Sequence, residues 1–370
     1  MISRTLVPLP AHLEGLEPYQ PGLSIDEVRR RSGSSRVIKL ASNENALGPS
    51  PRAIEALQGG LSVLHRYPDG PARDLREALA GRHGVAAQQI VIGNGSTELL
   101  DLLARAFLDA SDNAVASQGA FARFRQVVQA RNRGARLVPM RAGRQDLAAL
   151  AEAVDERTRL LYVANPNNPT GTWSPRAELE ALLDRLPPGV LVVWDEAYFE
   201  FADEPDYPDG LDYVRAGAPL VVLRTFSKVY GLAGLRVGYA VAAPEVVAAV
   251  DVVREPFNSN SLGQLAALAA LDDATHVERS VALVRSERPR MMEELRRLGL
   301  DVLSGLGNFV FADTRRAAGS VFQALLGRGV IVRPLEEYGF PSALRISLGT
   351  REENDLLLES LESALRPDGS

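Results

Sequence analysis

Short apolar segments alternate with longer segments of helical periodicity along most of the chain. Between about residues 36 and 250, Ala-, Leu-, Arg- and Glu-rich segments separate the apolar runs Gln89 to Ile92, Arg159 to Ala164, Val190 to Trp194 and Leu220 to Leu223. Short apolar runs predict buried strands, and an apolar residue at every third or fourth position predicts an amphipathic helix. The alternation therefore predicts an α/β fold with a mostly parallel central sheet and helices on both faces.

A second, smaller region follows Pro256. A helical pattern covers about residues 262 to 299, and strands are predicted near Asn308 to Phe311, Val330 to Arg333 and Leu344 to Ser347. Because a single core rarely exceeds roughly 250–300 residues, we expect two domains with a cleft between them. The predicted organisation is an N-terminal arm that joins the small domain (residues 1–40), a large ligand-binding domain (41–255) and a small α+β domain (256–370).

The composition excludes several classes of protein. The 370 residues carry 41 Lys plus Arg against 47 Asp plus Glu, a formal net charge of −6. Charges of both signs without a basic stripe argue against nucleic acid as a partner. The lack of Cys excludes disulfides, Cys-zinc sites and a thiol nucleophile, and the four His lack the spacing of metal ligands. With no apolar run of about 18 residues and no signal-peptide pattern, we expect a soluble cytoplasmic protein with no membrane partner.

Lysine is the most informative residue type, because only Lys39 and Lys228 occur among the 41 basic residues. Arg stays protonated in proteins, whereas a Lys amine can lose its proton and form a Schiff base. A chain that uses Arg for nearly all of its positive charge has a chemical reason to retain a Lys. Neither Lys lies in a Walker A pattern, and no Gly-x-Ser-x-Gly elbow occurs, so neither of these chemistries is predicted.

Four of the apolar runs end in polar residues, which in a parallel sheet meet beyond the carboxyl ends of the strands. The first leads into Gly93-Asn94-Gly95-Ser96-Thr97-Glu98, where a glycine turn before a helix favours an anion, although a helix cap without a ligand fits as well. The second leads into Asn165-Pro166-Asn167-Asn168-Pro169-Thr170-Gly171, which either presents Asn168 or forms an ordinary turn. The third ends in Asp195, a buried acid that needs a partner in a ligand or in a salt bridge.

The fourth run leads to Thr225-Phe226-Ser227-Lys228, with glycines after it and Arg236 eight residues beyond the lysine. A solvated lysine needs no such setting, so we interpret Lys228 as reactive and Lys39 as a surface residue. Together, the four strand ends match the requirements of pyridoxal phosphate. Its aldehyde forms an imine with a lysine, its ring nitrogen is kept protonated by an acid, and its phosphate binds an arginine and a helix N-terminus.

The motifs resemble those of the fold-type I pyridoxal-phosphate-dependent aminotransferases, and within their class II branch those of the histidinol-phosphate aminotransferases. The similarity extends over nearly the whole chain. The segments that carry it are Lys39–Asn45, Tyr67–Gly70, Gly93–Ser96, Asn168–Gly171, Asp195–Tyr198, Thr225–Lys228, Arg254–Asn258, Asn308–Val310 and Leu344–Thr350.

The resemblance implies a role for each residue of the site. Lys228 would bond to pyridoxal 5'-phosphate and move the proton, Asp195 would pair with the ring nitrogen, and Tyr198 would hydrogen-bond the ring oxygen. The other residues expected to bind the cofactor are Gly95, Ser96, Thr97, Phe121, Asn168, Thr225, Ser227, Arg236 and, from the second subunit of a homodimer, Tyr67. The loop from Gln118 to Phe124 departs from the family pattern, so Phe121 is expected only to stack on the cofactor.

The resemblance also implies a substrate. The expected substrate-binding residues are Tyr19, Asn45, Arg333 and Arg345. Arg345 corresponds to the arginine that binds an α-carboxylate in relatives, and a second guanidinium at Arg333 suits a phosphate. The expected reaction is amino-group transfer between L-histidinol phosphate and 2-oxoglutarate, giving imidazole acetol phosphate and L-glutamate in L-histidine biosynthesis. A broad aromatic amino-acid aminotransferase and a phosphothreonine-type decarboxylase stay open as alternatives.

Overall fold

The computed structural model describes residues 10–14, 16, 18, 22–32, 36–131 and 133–366. The α-helices are α1 (Ile25–Ser32), α2 (Pro51–Gly60), α3 (Arg73–His83), α4 (Ser96–Phe107), α5 (Arg123–Gln129), α6 (Leu147–Glu152), α7 (Arg176–Arg185), α8 (Gly210–Arg215), α9 (Pro244–Val253), α10 (Ser261–Leu271), α11 (Ala274–Arg297), α12 (Ala318–Leu326) and α13 (Arg351–Leu365). The β-strands are β1 (Ile38–Lys39), β2 (Ile90–Gly93), β3 (Asn113–Ser117), β4 (Gly134–Val138), β5 (Thr158–Ala164), β6 (Leu191–Asp195), β7 (Leu220–Thr225), β8 (Gly238–Val241), β9 (Asp301–Val302), β10 (Phe309–Asp313), β11 (Val330–Ile331), β12 (Arg333–Pro334) and β13 (Ala343–Ser347). Within these described residues, no helix has both the length and the apolar character needed to cross a membrane.

A seven-stranded sheet forms the centre of the fold, in the order β2-β8-β7-β6-β5-β3-β4. The strands from β7 to β4 pair in parallel with their neighbours. Strand β8 runs antiparallel to both β2 and β7. The prediction of a mostly parallel sheet is therefore confirmed, and the four apolar runs singled out in the sequence correspond to β2, β5, β6 and β7.

Apolar residues cover both faces of the central sheet, which explains why its strands are nearly continuous apolar runs. Along β6, Val192 and Trp194 belong to the core on one face, and Leu191 and Val193 to the core on the other. A strand that is buried on both faces has no polar side. Its last residue, Asp195, is the point where β6 becomes polar, and it lies at the carboxyl edge of the sheet.

The C-terminal region contains a four-stranded antiparallel sheet in the order β12-β13-β10-β9. Helices α11, α12 and α13 pack in this region. Strand β1 pairs in parallel with β11, with Ile38 opposite Val330, so β1 is attached to this region. The proposed domain boundaries at residues 40 and 255 stay predictions.

The helical region predicted over about residues 262 to 299 is divided into α10 and α11. Helix α10 ends at Leu271, and α11 begins at Ala274. The Asp273 carboxylate accepts a hydrogen bond from the backbone N–H of His276 at 3.2 Å. An Asp at this position satisfies an N–H group of a new helix. The break therefore occurs without the Gly or Pro that usually signals one in a sequence.

The turn between β2 and α4 lies directly against the start of β8. Gly238, the first residue of β8, is paired with Gly93 of β2. A Cβ at residue 238 would lie 2.3 Å from the backbone nitrogen of Ser96, which is a severe steric clash. Glycine at this position thus allows the N-terminus of α4 to approach β8 and, beyond it, β7.

We expect Gly238→Ala to destabilise the protein by about 1–3 kcal/mol, because the added methyl group must displace the backbone at Ser96. The measurement is the shift in the midpoint of thermal or urea unfolding. Gly81→Ala is the matched control, since a Cβ at residue 81 of α3 meets no atom within 4 Å, and alanine favours a helix over glycine. Equal stability of the two variants would contradict the proposed close packing.

Candidate active site

A cavity of about 160 Å³ lies beyond the carboxyl ends of β2, β5, β6 and β7. The residues predicted from the sequence that line it are Ser96, Thr97, Phe121, Asn168, Asp195, Tyr198, Thr225, Ser227, Lys228, Arg236 and Arg345. Its other lining residues are Ser42, Asn43, Ala164, Pro166 and Ala197. The structure therefore brings the polar residues of four separate strand ends to one place, as expected for a parallel sheet.

Lys228 follows β7, and its amine points towards the segment of residues 41–45. The Nζ atom donates a hydrogen bond to the Ser42 carbonyl oxygen at 3.0 Å. Desolvation, followed by the nearby positive charge of Arg345, lowers the pKa of this amine from 10.5 to about 7. A large fraction of the amine is therefore neutral at neutral pH, and the neutral form is the one that attacks an aldehyde.

Asp195 has a buried carboxyl group with few partners. Its Oδ1 atom accepts a hydrogen bond from the Ala197 backbone N–H at 3.0 Å, and no Lys or Arg of the described chain forms an ion pair with it. Burial raises the pKa of this carboxyl group to about 6, against the opposing effects of the Ala197 hydrogen bond and of Lys228. A cationic N–H group in the cavity would supply the missing partner and favour the ionised carboxylate.

An anion-binding corner lies where Arg236 meets the N-terminus of α4. Gly95 has a φ of +75°, and a Cβ there would lie 2.4 Å from Nη2 of Arg236, so glycine leaves the space that the guanidinium occupies. Arg236 donates to the Ser227 hydroxyl at 3.3 Å, and the Ser227 backbone N–H donates to Thr225 Oγ1 at 3.1 Å. A guanidinium, two hydroxyl groups and the first N–H groups of a helix together suit a phosphate.

The chemistry of these groups fits pyridoxal 5'-phosphate. The amine of Lys228 suits its aldehyde, the carboxylate of Asp195 its ring nitrogen, and the Arg236 corner its phosphate. When bound, the cofactor supplies an electron-withdrawing ring that stabilises negative charge on the Cα atom of an amine substrate. Phe121, also in the cavity wall, packs edge-to-face on Phe124 with 5.9 Å between ring centroids.

Arg345 is a buried cation without an anionic partner among the described residues. Its side chain is in β13 and 4% exposed. It donates to Asn168 Oδ1 at 2.5 Å and to the Ala41 carbonyl oxygen at 2.6 Å, both neutral acceptors. A buried charge is costly without an opposite charge. An anionic group of a substrate would compensate it.

Arg333 and Asn45 have partners within the protein. Arg333, on β12, is paired across the sheet with Arg345, but its guanidinium forms an ion pair with Glu337. The Asn45 amide donates to the Val229 carbonyl at 2.7 Å and to the Ser280 hydroxyl at 2.9 Å. Neither residue lines the cavity, so their substrate-binding roles stay predictions.

Three further sequence interpretations have different outcomes. Tyr67 is 82% exposed and stacks on Phe257 with 4.6 Å between ring centroids, away from the cavity of its own chain. Tyr19 lies outside the described residues. Lys39 is partly exposed, pairs with Glu44 at 2.7 Å and does not line the cavity. The β1 strand that contains it is covered in part by its pairing with β11.

Sequence reasoning missed Ser42 and Asn43. Both line the cavity, whereas the asparagine singled out in this motif was Asn45. The motif itself identified the segment. The backbone at Asn43 takes a left-handed conformation with a φ of 54°. A run of polar residues does not reveal such a turn, so it does not show which side chain points into the cavity.

Comparison with known proteins shows the family of the chain. A family model described as aminotransferase class I and II matches residues 35–361. A histidinol-phosphate aminotransferase of Anaeromyxobacter sp. (strain Fw109-5) is 49% identical over 95% of this chain and 98% of its own length. The histidinol-phosphate aminotransferase 2 of Pseudomonas aeruginosa is 48% identical over 96% of this chain and 97% of its own length. A crystal structure of the Sinorhizobium meliloti histidinol-phosphate aminotransferase in complex with pyridoxal-5'-phosphate has a TM-score of 0.88 at 30% identity, covering 99% of this chain and 98% of that one.

The presence of only two lysines allows a direct test of the Lys228 assignment. We expect borohydride reduction of the protein with pyridoxal phosphate to label Lys228 and not Lys39, as read by peptide mass mapping. With cofactor-free protein, the initial labelling rate should rise as pH increases through about 7, because the lowered pKa of Lys228 leaves more neutral amine above that pH.

Arginine variants provide the controls. Lys228→Arg keeps the charge but removes the reactive amine, so it should abolish labelling and turnover, whereas Lys39→Arg should retain both. Label on Lys39, or a labelling rate that stays flat across neutral pH, would contradict the assignment.

Proposed function

Because the chain belongs to the class I and II aminotransferase family, and is therefore a pyridoxal-phosphate-dependent transferase, we propose that it transfers an amino group between L-histidinol phosphate and 2-oxoglutarate. The products are imidazole acetol phosphate and L-glutamate, and the reaction is a cytoplasmic step of L-histidine biosynthesis. The family, the α/β fold and the cofactor predicted from the sequence are confirmed. The relatives at 48–49% identity named for this activity support the choice of substrate.

The observation that carries the proposal is the buried, unpaired charge of Arg345. Its guanidinium is bound only to neutral oxygens of Asn168 and Ala41 among the described residues. Both proposed amino donors, L-histidinol phosphate and L-glutamate, carry an anionic group away from the reacting nitrogen. One anion-binding arginine thus serves both halves of the reaction in turn.

The proposed chemistry assigns one task to each side chain. Lys228 would act as the base for the proton on the substrate Cα, a role that needs the neutral amine. Asp195 holds the proton on the ring nitrogen, and its low exposure strengthens this interaction. Tyr198 and Asn168 would hydrogen-bond the ring oxygen, and Arg236 would hold the phosphate.

We expect kcat/KM for L-histidinol phosphate to exceed that for L-phenylalanine by more than about a hundredfold, with 2-oxoglutarate as acceptor at one pH and salt concentration. Charge-assisted hydrogen bonds contribute roughly 1.5–3 kcal/mol each, and phenylalanine has no phosphate with which to form them. Near-equal values would instead indicate a broad aromatic aminotransferase. Release of carbon dioxide from a phosphorylated amino acid would indicate a decarboxylase.

Two arginine variants identify the source of this preference. Arg345→Gln should lower kcat/KM for L-histidinol phosphate by about 10- to 100-fold, because it removes a charge that has no protein partner. Arg333→Gln should cost less, since Glu337 already neutralises Arg333. The reverse order would place the main anion contact on β12 rather than β13.

The proposal includes a homodimer in which Tyr67 reaches the cofactor of the other subunit. Tyr67 stacks on Phe257, and both are exposed, as are Leu61, Val63 and Leu64 a few residues before Tyr67. We take these five side chains as one proposed apolar patch. Exposed aromatic and aliphatic side chains grouped in this way are typical of protein interfaces. The stacked rings of Tyr67 and Phe257 also hold the tyrosine in one orientation before association.

We expect Leu64→Glu to convert the dimer into monomers, because burying a carboxylate in the apolar patch costs several kcal/mol. Sedimentation velocity gives the mass, and cofactor titration gives the affinity. Tyr67→Phe is the matched variant: it keeps the stacked ring and the dimer, but should weaken cofactor binding about tenfold through loss of one hydroxyl contact. A monomeric wild-type protein, or a Leu64→Glu dimer, would contradict the proposed interface.

A further inference from the structure

Asn43 combines burial, an unusual backbone conformation and a position in the cavity wall. Its side chain is 1% exposed, and its φ is 54°. Asparagine is among the few residues other than glycine that adopt this left-handed conformation readily. The backbone here is held from the C-terminal sheet region, because Asn308 donates from Nδ2 to the Asn43 carbonyl oxygen at 3.0 Å.

The Asn43 side chain accepts a hydrogen bond from Ser347 and donates one to Tyr198. The Ser347 hydroxyl, on β13, accepts a hydrogen bond from the Asn43 backbone N–H at 2.7 Å and donates to Asn43 Oδ1 at 2.9 Å. Since Oδ1 is an acceptor from Ser347, the amide is oriented with Nδ2 on its other side. There Nδ2 donates to the hydroxyl oxygen of Tyr198 at 2.8 Å.

We propose that Asn43 is a positioning residue that directs the Tyr198 hydroxyl proton towards the ring oxygen of the cofactor. A hydroxyl oxygen that accepts from Nδ2 must have its own O–H directed away from the amide. Both residues line the cavity, so that direction can lead into the site. The order of donation is then Ser347 to Asn43, Asn43 to Tyr198, and Tyr198 to the cofactor.

The consequence is electrostatic. A hydrogen bond donated by Tyr198 stabilises negative charge on the cofactor ring oxygen, which makes that oxygen less basic. In the cofactor-loaded protein, this would lower the pH at which the visible absorption of the cofactor titrates. The inference rests on the proposed cofactor chemistry but not on the identity of the amine substrate.

Other charged groups also face this lysine, and the test must leave them in place. Lys228 is influenced by Arg345 on β13, Glu44 in the segment of residues 41–45, Arg236 after a short 3₁₀ turn and Asp195 at the end of β6. Variants at Asn43, Tyr198 and Ser347 that introduce no charge leave all four groups unchanged. A shift in a titration midpoint therefore reports on hydrogen bonding.

The test is a pH titration of the visible absorption of the bound cofactor in the holoenzyme, without substrate. Asn43→Gly removes the amide and accepts the left-handed φ without strain. We expect it to raise the titration midpoint by about one pH unit. Complete loss of a hydrogen bond to a charged group would raise the midpoint by roughly one to two units, and this variant only weakens that bond. The direction is upward because a weaker donor leaves the ring oxygen more basic.

Tyr198→Phe removes the donor itself and should give the largest upward shift. Adding Asn43→Gly to Tyr198→Phe should then cause no further shift, because Asn43 acts through the tyrosine. Ser347→Ala removes the group that orients the amide, and we expect a smaller shift of the same sign. The Ser347→Ala variant keeps the proposal testable if Asn43→Gly folds poorly.

Two results would overturn the proposal. One is a wild-type midpoint in every cofactor-loaded variant of Asn43 and Ser347 that folds. The other is a shift from Asn43→Gly that persists in the Tyr198→Phe background, which would show that Asn43 acts by a route other than Tyr198. The readout uses no amine substrate, so a failure of the histidinol phosphate preference leaves this test intact.

Discussion

The register of the parallel strands determines where each reactive group of the site lies. Ala164 at the end of β5 is paired with Asp195 at the end of β6, and Asp195 is paired with Leu223 of β7. A shift of one residue in a strand turns every side chain to the opposite face. Because β6 is buried on both faces, such a shift would exchange two tightly packed core layers. Hydrophobic packing far from the cavity therefore holds Asp195 and, two residues beyond β7, Ser227 in position.

The two consecutive acids at the end of β6 differ in their partners: Glu196 is bonded within the fold, and Asp195 faces the cavity. Glu196 is fully buried and fully bonded. Its Oε1 accepts from the Trp194 indole and the Gly210 backbone N–H, and its Oε2 accepts two bonds from Arg224. Among the described residues, the Asp195 carboxylate accepts one hydrogen bond, from the Ala197 N–H at 3.0 Å, and it faces the cavity. Breaking a satisfied buried pair destabilises a fold, whereas an acid left with spare acceptor capacity can bind a ligand. The ion pair of Glu196 anchors the strand end from which Asp195 projects.

The sequence predicts those parts of the site that follow directly from a strand. Lys228, Asp195 and Asn168 each lie within a few residues of an apolar run, so local patterns identify them. Asn43 could not be found in this way, since its hydrogen-bond partner Ser347 is 304 residues away in the sequence. The pairing of Arg333 with Glu337 was hidden for a different reason, because two charges four residues apart are common in any sequence. The proposed contact of Tyr67 with the cofactor would involve a second subunit, which no pattern within one chain describes.

The segment of residues 41–45 accepts hydrogen bonds from both the arginine that we propose to bind the substrate and the lysine that we propose to move the proton. Arg345 donates to the carbonyl oxygen of Ala41 and Lys228 to that of Ser42, so two positive groups share adjacent peptide units. The charge of Arg345 is one of the causes that lower the pKa of Lys228. In the proposed reaction, a substrate anion at Arg345 compensates that charge, and the pKa of the lysine amine rises. Arg345, which has no anionic partner among the described residues, therefore offers a site for an anion and also affects the basicity of the neighbouring lysine amine.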